Sequence, residues 1–210
     1  MRNKITLLLF GLIFSSTLFG QKFSMKILGG LTSSQISGDG IYGFAQFGGI
    51  LGAETSYKIK DHLSASIGLQ FNQKGARNYQ SSSVYSAYRL RVNYLEVPFT
   101  LNYQIDRFTI NPGLYFGVKI NQKERNTFGA IEPYHEFKPF DFGLQLGVAY
   151  TINDNWDVEG RFQNSILPVR NHANEQAYPP ALFVFGTWHQ KMLSQGQFFT
   201  SLSLVLKYRI

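Results

Sequence analysis

Hydrophobic and polar residues alternate along most of this chain with a period of two, not with the helical period of about 3.6. The clearest case is residues 63–74, where most odd positions are apolar and the even positions are polar or small. Because successive side chains of a strand point to opposite faces, this pattern predicts a strand with one apolar face and one polar face. Eight segments follow it: 23–31, 47–59, 63–74, 95–103, 108–120, 140–152, 156–162 and 198–210.

The links between these segments alternate in length. Short, turn-rich junctions at 60–62, 104–106 and 153–155 alternate with long polar links at 32–46, 75–89, 121–138 and 167–197. Short turns at one end and long loops at the other are typical of barrels in the outer membrane of Gram-negative bacteria. We therefore predict an all-β fold, an eight-stranded antiparallel up-and-down transmembrane β-barrel, in one domain over residues 21–210.

The pattern changes phase in front of the fourth segment. Leu90 and Val92 lie on even positions, whereas the apolar residues from Leu95 onwards lie on odd positions. A slip of one residue exchanges the two faces of a strand. The change therefore predicts a bulge near Asn93 and Tyr94, or a strand that has already left the membrane there.

The alternation leaves open whether the apolar face points outward to lipid or inward to a ligand pocket, as in a soluble lipocalin-like binding barrel. Small Gly and Ser residues on the polar face favour an apolar face that points outward to lipid. The polar face would then line the inside of a narrow barrel, which is crowded. Aromatic residues close the apolar face at the segment ends, as in an interfacial girdle. Tyr208 and Ile210 also place the end of the last segment on the apolar side. We expect the protein to reside in the outer membrane.

The charged residues of the polar face would then be enclosed in a barrel that side chains can fill. Buried charges are tolerable when opposite charges pair. We predict a plug of ion pairs without a wide ion channel. Its predicted acids are Glu54, Glu96, Asp141 and Glu159, and its predicted bases are Lys58, Lys74, Lys119 and Arg161.

Residues 1–20 predict a secretory signal peptide. They combine a basic start at Arg2 and Lys4 with an apolar stretch at 5–19 and a small residue, Gly20. The apolar stretch is shorter than the roughly 20 residues of a membrane-spanning helix. We expect this segment to be removed on export.

The composition narrows the classes of partner and site. The absence of cysteine excludes disulfides, thiolate nucleophiles and cysteine-bearing zinc sites. There are 20 Lys and Arg residues against 13 Asp and Glu, but export and the lack of a basic cluster argue against nucleic acid. We expect outer-membrane lipids and lipopolysaccharide as partners. The candidate contacts to anionic headgroups are Arg77, Arg89, Arg91, Lys123, Arg125, Arg170 and Lys191.

Small outer-membrane barrels also include enzymes that modify lipid A with a histidine near a serine or aspartate. The chain has four histidines, His62 in a short turn and His135, His172 and His189 in long links. No spacing brings a nucleophile, a base and an orienting group together, and the histidines form no metal motif. We predict no enzymatic activity, no cofactor and no metal site, with a lipid A-modifying enzyme as the alternative.

A strongly apolar stretch, residues 181–188, lies inside the last long link and follows Pro179 and Pro180. It either extends the final hairpin above the membrane or exposes a patch that docks a partner. For the second case, the candidate docking residues are Phe183, Phe185 and Trp188. The expected partner is then another protein of the cell envelope, bound through the long external loops.

Several motifs resemble the PorT-like outer-membrane β-barrel family of Bacteroidetes. They are GDGIYGF at 38–44, QKG at 73–75, NYLEVP at 93–98, FDFG at 140–143 with Gly147, and GRF at 160–162. The resemblance implies eight antiparallel strands, residence in the outer membrane and no catalytic residues. One family member is an accessory of the type IX secretion system. The resemblance thus implies a structural or accessory role, extending to secretion or envelope assembly.

Overall fold

The structure, a computed structural model, describes residues 23–37, 43–78, 87–131, 136–171 and 196–210. The predicted signal peptide lies outside these residues. Each segment with alternating polarity forms one long strand. The strands are β1 Phe23–Ser37, β2 Gln46–Lys60, β3 Leu63–Asn78, β4 Tyr88–Ile105, β5 Phe108–Asn126, β6 Gly129–Ala130, β7 Phe140–Thr151, β8 Trp156–Ser165, β9 Arg170–Asn171 and β10 Gly196–Arg209.

The eight long strands form a closed antiparallel barrel. Each pairs with the next long strand along the chain, and β10 pairs with β1 to close the wall. The two-residue strands β6 and β9 pair with β5 and β10 at the end of the long loops. The predicted eight-stranded up-and-down barrel is therefore confirmed. Within the described ranges, no helix is long and apolar enough to cross a membrane, a finding that does not bear on spanning strands.

The apolar faces of the strands point outward. Leu69, Leu114, Leu144 and Leu204 have 41–63% of their surface exposed, while Gln70, Asn111 and Gln145 are buried inside. An aqueous solvent would not favour this arrangement, whereas lipid does. It excludes the soluble lipocalin-like alternative. We call the outward-facing apolar side chains the apolar belt.

Aromatic pairs mark one edge of the apolar belt. Across neighbouring strands, the ring centroids of Phe23 and Tyr57 lie 5.1 Å apart, those of Phe108 and Tyr150 also 5.1 Å, and those of Trp156 and Tyr208 4.8 Å. All three pairs lie at the end of the barrel that carries the short turns. Aromatic girdles form at membrane interfaces, and short turns are periplasmic. This end therefore faces the periplasm, and the long loops are external.

The predicted irregularity is present between β4 and β5. Asn93 pairs with Asn121, whereas Tyr94 pairs with Lys119, so the register shifts between Asn93 and Tyr94. The extra residue is Ile120, on β5. The predicted position of the bulge is confirmed, but it lies in the partner strand.

The two faces of β4 itself do not exchange at this point. Leu90 and Val92 are buried inside the barrel, on the same side as Glu96. The outward-facing residues at this height are polar, Arg91 and Asn93. The alternative prediction therefore holds, because β4 has left the lipid here, and its inward-facing residues become apolar to fill the barrel mouth.

Candidate functional site

The lumen is filled by buried charged side chains that pair across the barrel. In the layer nearer the periplasm, β10 places the Nζ atom of Lys207 at 2.8 Å from Glu54 Oε2 and 2.6 Å from Glu159 Oε2. Arg161, two residues after Glu159 on β8, donates from Nε to Glu159 Oε1 at 2.5 Å. Two acids and two bases thus compensate one another in this layer.

A second charged layer lies further towards the external end. The Nζ atom of Lys74 is 2.7 Å from Glu96 Oε1 and 3.1 Å from Asp141 Oδ2, and all three residues are fully buried. Tyr115 Oη donates to the Asp141 carboxylate at 3.2 Å, and its ring lies 4.1 Å from the Lys74 ammonium. One lysine therefore bridges two carboxylates that no solvent reaches.

Amide side chains connect the two layers. Gln70 Nε2 donates to Glu96 Oε2 at 2.8 Å, and Gln70 Oε1 accepts from Arg161 Nη1 at 2.8 Å. Asn72 Nδ2 donates to Glu96 Oε2 at 3.1 Å and to Gln163 Oε1 at 3.1 Å. We call the two charged layers with these amides the plug.

Small residues make room for the plug, as the sequence predicted for the inner face. Gly143 of β7 points inward opposite Tyr115 of β5. A Cβ atom on Gly143 would lie 2.6 Å from Tyr115 Oη, closer than side chains pack. A larger residue would therefore displace the hydroxyl that binds Asp141.

Apolar side chains close the barrel above the plug. This lid consists of Ile36, Ala76, Leu90, Val92, Tyr94, Phe137, Val169 and Phe199. Phe137, from the link before β7, stacks on Phe199 with 5.7 Å between ring centroids. Lys119 holds Phe137 in place by donating from Nζ to its carbonyl oxygen at 2.6 Å. The plug and the lid together leave no wide path through the described part of the barrel.

All four predicted acids and two of the four predicted bases, Lys74 and Arg161, belong to the plug. Glu96 and Asp141 pair with Lys74, and Glu159 pairs with Arg161. The roles predicted for Lys58 and Lys119 are wrong. Lys58 lies near the periplasmic turn and pairs on the surface with Asp61 at 3.1 Å, while Lys119 holds the lid and lies 4.0 Å from the exposed Glu136.

The partner of Glu54 was missed at the level of sequence. It is Lys207, which lies 153 positions away along the chain. The polar parity of the last segment already placed Lys207 inside the barrel. The pairing itself depends on the stagger of the strands on barrel closure, which alternation does not reveal.

A polar cavity of about 480 Å³ opens below the plug at the periplasmic end. Its walls include Lys26 and Asp157, which form an ion pair at 2.7 Å, and the exposed His62 of the first short turn. His62 thus lies at the opposite end from the outer leaflet, where lipid A resides. The described residues include no group of three or more acids and histidines placed to hold a metal ion.

The other histidines and the candidate docking residues lie outside the described residues. These are His135, His172, His189, Phe183, Phe185 and Trp188, and the same holds for Lys191. Six of the seven candidate headgroup contacts belong to the described residues. Five of them lie on the outer face of β3, β4 and β5.

Arg170 instead lies at the rim of the lid. Its Nη1 atom is 3.3 Å from Glu124 Oε1, and its guanidinium lies 4.9 Å from the Phe137 ring centroid. Tyr88 Oη donates to Glu124 Oε2 at 3.0 Å. Burial, followed by the Glu124 carboxylate, raises the pKa of the Tyr88 hydroxyl above its usual value, so that it stays protonated as a donor.

Comparisons with known proteins agree with this geometry. Residues 16–169 match a family described as "Outer membrane protein beta-barrel domain". Among solved structures, Ail of Yersinia pestis with the heparin analogue sucrose octasulfate aligns at a TM-score of 0.50 and 12% identity, covering 90% of this chain and 99% of that chain. At this identity, the likeness shows the fold alone.

Two further structures align over similar lengths. Ail, the attachment invasion locus protein of Yersinia pestis, gives a TM-score of 0.49 at 12% identity, covering 90% of this chain and 99% of that chain. Neisserial surface protein A gives 0.46 at 12% identity, covering 90% and 97%. None of the curated proteins matches the chain.

Proposed function

The chain belongs to the outer membrane protein beta-barrel domain family, and from this we propose that it serves as a closed, non-enzymatic barrel with a structural or accessory role in the envelope. The observation that carries the proposal is the filled lumen. Lys74, Glu96 and Asp141 are fully buried beneath the apolar lid. A barrel built for passage of solutes would leave water around such charges.

The finer part of the proposal concerns the family branch and the process served. We propose a PorT-like barrel that assists secretion or envelope assembly, exported by a signal peptide at 1–20 with a mature domain at 21–210. The motifs shared with that family support a barrel of this kind more directly than they support a role in secretion or envelope assembly. QKG contains Lys74, NYLEVP contains Glu96, FDFG contains Asp141 and GRF contains Arg161, which are all members of the plug.

The filled lumen leads to a prediction about conductance. The protein reconstituted into planar lipid bilayers should show no large, steady channels, because ions would have to pass both the plug and the lid. A porin reconstituted in the same bilayers serves as the positive control. Steady openings of porin size from the intact protein would contradict a closed barrel.

The accessory role predicts a protein partner, for which we propose Phe183, Phe185 and Trp188 as the docking residues. Affinity isolation in mild detergent should recover a co-purifying envelope protein. The double variant Phe183→Ser, Trp188→Ser should lose this protein while its barrel still shows heat-modifiable gel migration.

Phe128 provides a matched control. It is an aromatic residue of the external rim with 89% of its surface exposed, and Phe128→Ser should retain the partner. Loss of heat-modifiable migration in the double variant would instead indicate that the apolar stretch extends the last hairpin. Equal recovery of the partner by all forms would contradict the docking role.

A further inference from the structure

Five basic residues converge on the outer face of three neighbouring strands. Arg77 of β3 is directly opposite Arg89 of β4, which is directly opposite Arg125 of β5. One row nearer the membrane, Arg91 is opposite Lys123. We call these residues the basic ladder. They are far apart in sequence, and only the register of the sheet brings them together.

The basic ladder lies immediately outside the apolar belt. The next row towards the periplasm consists of amides, in which Gln73 donates to Asn93 and Asn93 donates to Asn121, both at 2.9 Å. The row after that is apolar, with Leu95 between Phe71 and Val118. Successive rows on one face are about 7 Å apart along a strand. The ladder therefore lies at the depth of lipid headgroups.

The arrangement is electrostatically unfavourable for the sheet alone. Like charges placed directly opposite one another across strands are destabilising. The external parts of β3, β4 and β5 carry one acid, Glu124, which points inward and pairs with Arg170. In addition, Arg91 Nε is buried and finds no hydrogen-bond acceptor among the described residues. Arg89 already donates from Nε to Gln46 Oε1 at 3.3 Å. An anion bound at the outer face would offset the repulsion and accept from Arg91 and Lys123.

The basic ladder is confined to one side of the barrel. In the described parts of β7, β8, β10 and β1, every Lys or Arg belongs to the polar inner parity, as Arg161 and Lys207 do. A general attraction to anionic lipid would be served by basic residues around the whole circumference. Their concentration on three strands indicates a localised site.

We propose that the basic ladder binds the phosphate groups of an anionic outer-leaflet glycolipid of the lipopolysaccharide class, whose acyl chains lie against Phe71, Leu95 and Val118. Guanidinium groups bind phosphate oxygens through paired hydrogen bonds. Neighbouring strands are about 4.8 Å apart, so side chains from two strands can bind one phosphate. This site depends on residence in the outer membrane and not on the proposed accessory role.

The test uses the intact protein in phosphatidylcholine nanodiscs to which lipid A carrying two phosphates is added. Native mass spectrometry measures how much lipid A stays bound. The double variant Arg91→Gln, Lys123→Gln should retain about tenfold less than the unmodified protein. The control Lys58→Gln, Lys60→Gln removes the same charge from the periplasmic end and should retain lipid A as the unmodified protein does.

Two further arms identify the ligand. Dephosphorylated lipid A should be retained weakly by all forms, and an excess of inorganic phosphate should leave bound lipid A in place. Equal retention by the ladder variant and the control, retention without phosphates, or displacement by phosphate alone would overturn the proposal.

Folding of each variant is checked by heat-modifiable migration. Should the double variant fail to fold, the single variants Arg91→Gln and Lys123→Gln are measured, and each should show weaker retention. Retention by both at the level of the unmodified protein would overturn the proposal. The proposed accessory role could fail independently, because conductance and partner capture do not involve the ladder.

Discussion

Replacing Lys74 by Met should destabilise the barrel by about 3–5 kcal/mol, the range for removing one member of a buried ion pair. The substitution removes the ammonium that lies 2.7 Å from Glu96 and 3.1 Å from Asp141. Both carboxylates would then be buried without a counterion, one layer above the Lys207 and Arg161 pairs. Urea unfolding in lipid vesicles, followed by heat-modifiable migration, measures the change in free energy of unfolding.

Two variants make this result specific. Lys58→Met breaks the exposed pair with Asp61 and should cost less than about 1 kcal/mol, as surface pairs do. The triple variant Lys74→Met, Glu96→Gln, Asp141→Asn should recover most of the lost stability, because neutral groups replace the whole network. A loss below about 1 kcal/mol in the single variant would mean that water reaches the plug.

Replacing Leu114 by Arg should cost about 2–4 kcal/mol, as a basic residue does near the bilayer midplane on a barrel's lipid-facing surface. Leu114 lies at the centre of the outward-facing apolar run of β5, opposite Leu144 of β7. The guanidinium of the introduced arginine would have to be buried in lipid or stretch along the strand to the headgroups. The same unfolding measurement in vesicles reports the loss.

The same strand provides the matched control. Asn121 also faces outward, but it belongs to the amide row beyond the apolar belt. Asn121→Arg should therefore cost only about 0–1 kcal/mol, as near an interface. If the free energy of unfolding fell equally little in both variants, Leu114 would not be in contact with lipid. The membrane assignment would then be contradicted.

The period of two was sufficient to predict the barrel and the direction of its apolar face. It predicted the ends of the strands less well, because the outward-facing residues are apolar only where a strand is in contact with lipid. The fourth segment was expected at 95–103, whereas β4 runs over Tyr88–Ile105. From Leu95 towards the external end of β4, which is the part before Leu95 in sequence, the outward-facing residues become polar and the inward-facing residues apolar. Hydrogen bonding to β3 and β5 nevertheless continues.

The composition of the lumen could be predicted only in part. Alternation identifies which residues point inward, so the acids of the plug were predicted correctly. Their partners depend on which strands meet across the barrel, as Glu54 and Lys207 do. The place of Phe137 in the lid could not be predicted for another reason. Phe137 lies in a link between strands, where there is no alternation, and it reaches the lid by folding back onto Phe199.

The family resemblance also acquires a physical explanation. Each plug residue within the shared motifs has a partner on another strand or on its own, and the Lys74 pairs join three different strands. A substitution at one position would leave a buried charge at another. Such motifs report how the lumen is filled, so the process in which the barrel takes part has to be tested separately.

The unequal lengths of the strands give the wall an uneven upper edge. β5 has 19 residues and β8 has 10. At about 3.4 Å per residue and a tilt near 45°, nine further residues raise the edge by roughly 20 Å. The described strands thus form the tallest part of the wall at β5 and the shortest at β8, two strands further round the barrel. A neighbouring protein would therefore contact a longer stretch of strand at β5 than at β8, so the barrel wall offers unequal surfaces in the plane of the membrane.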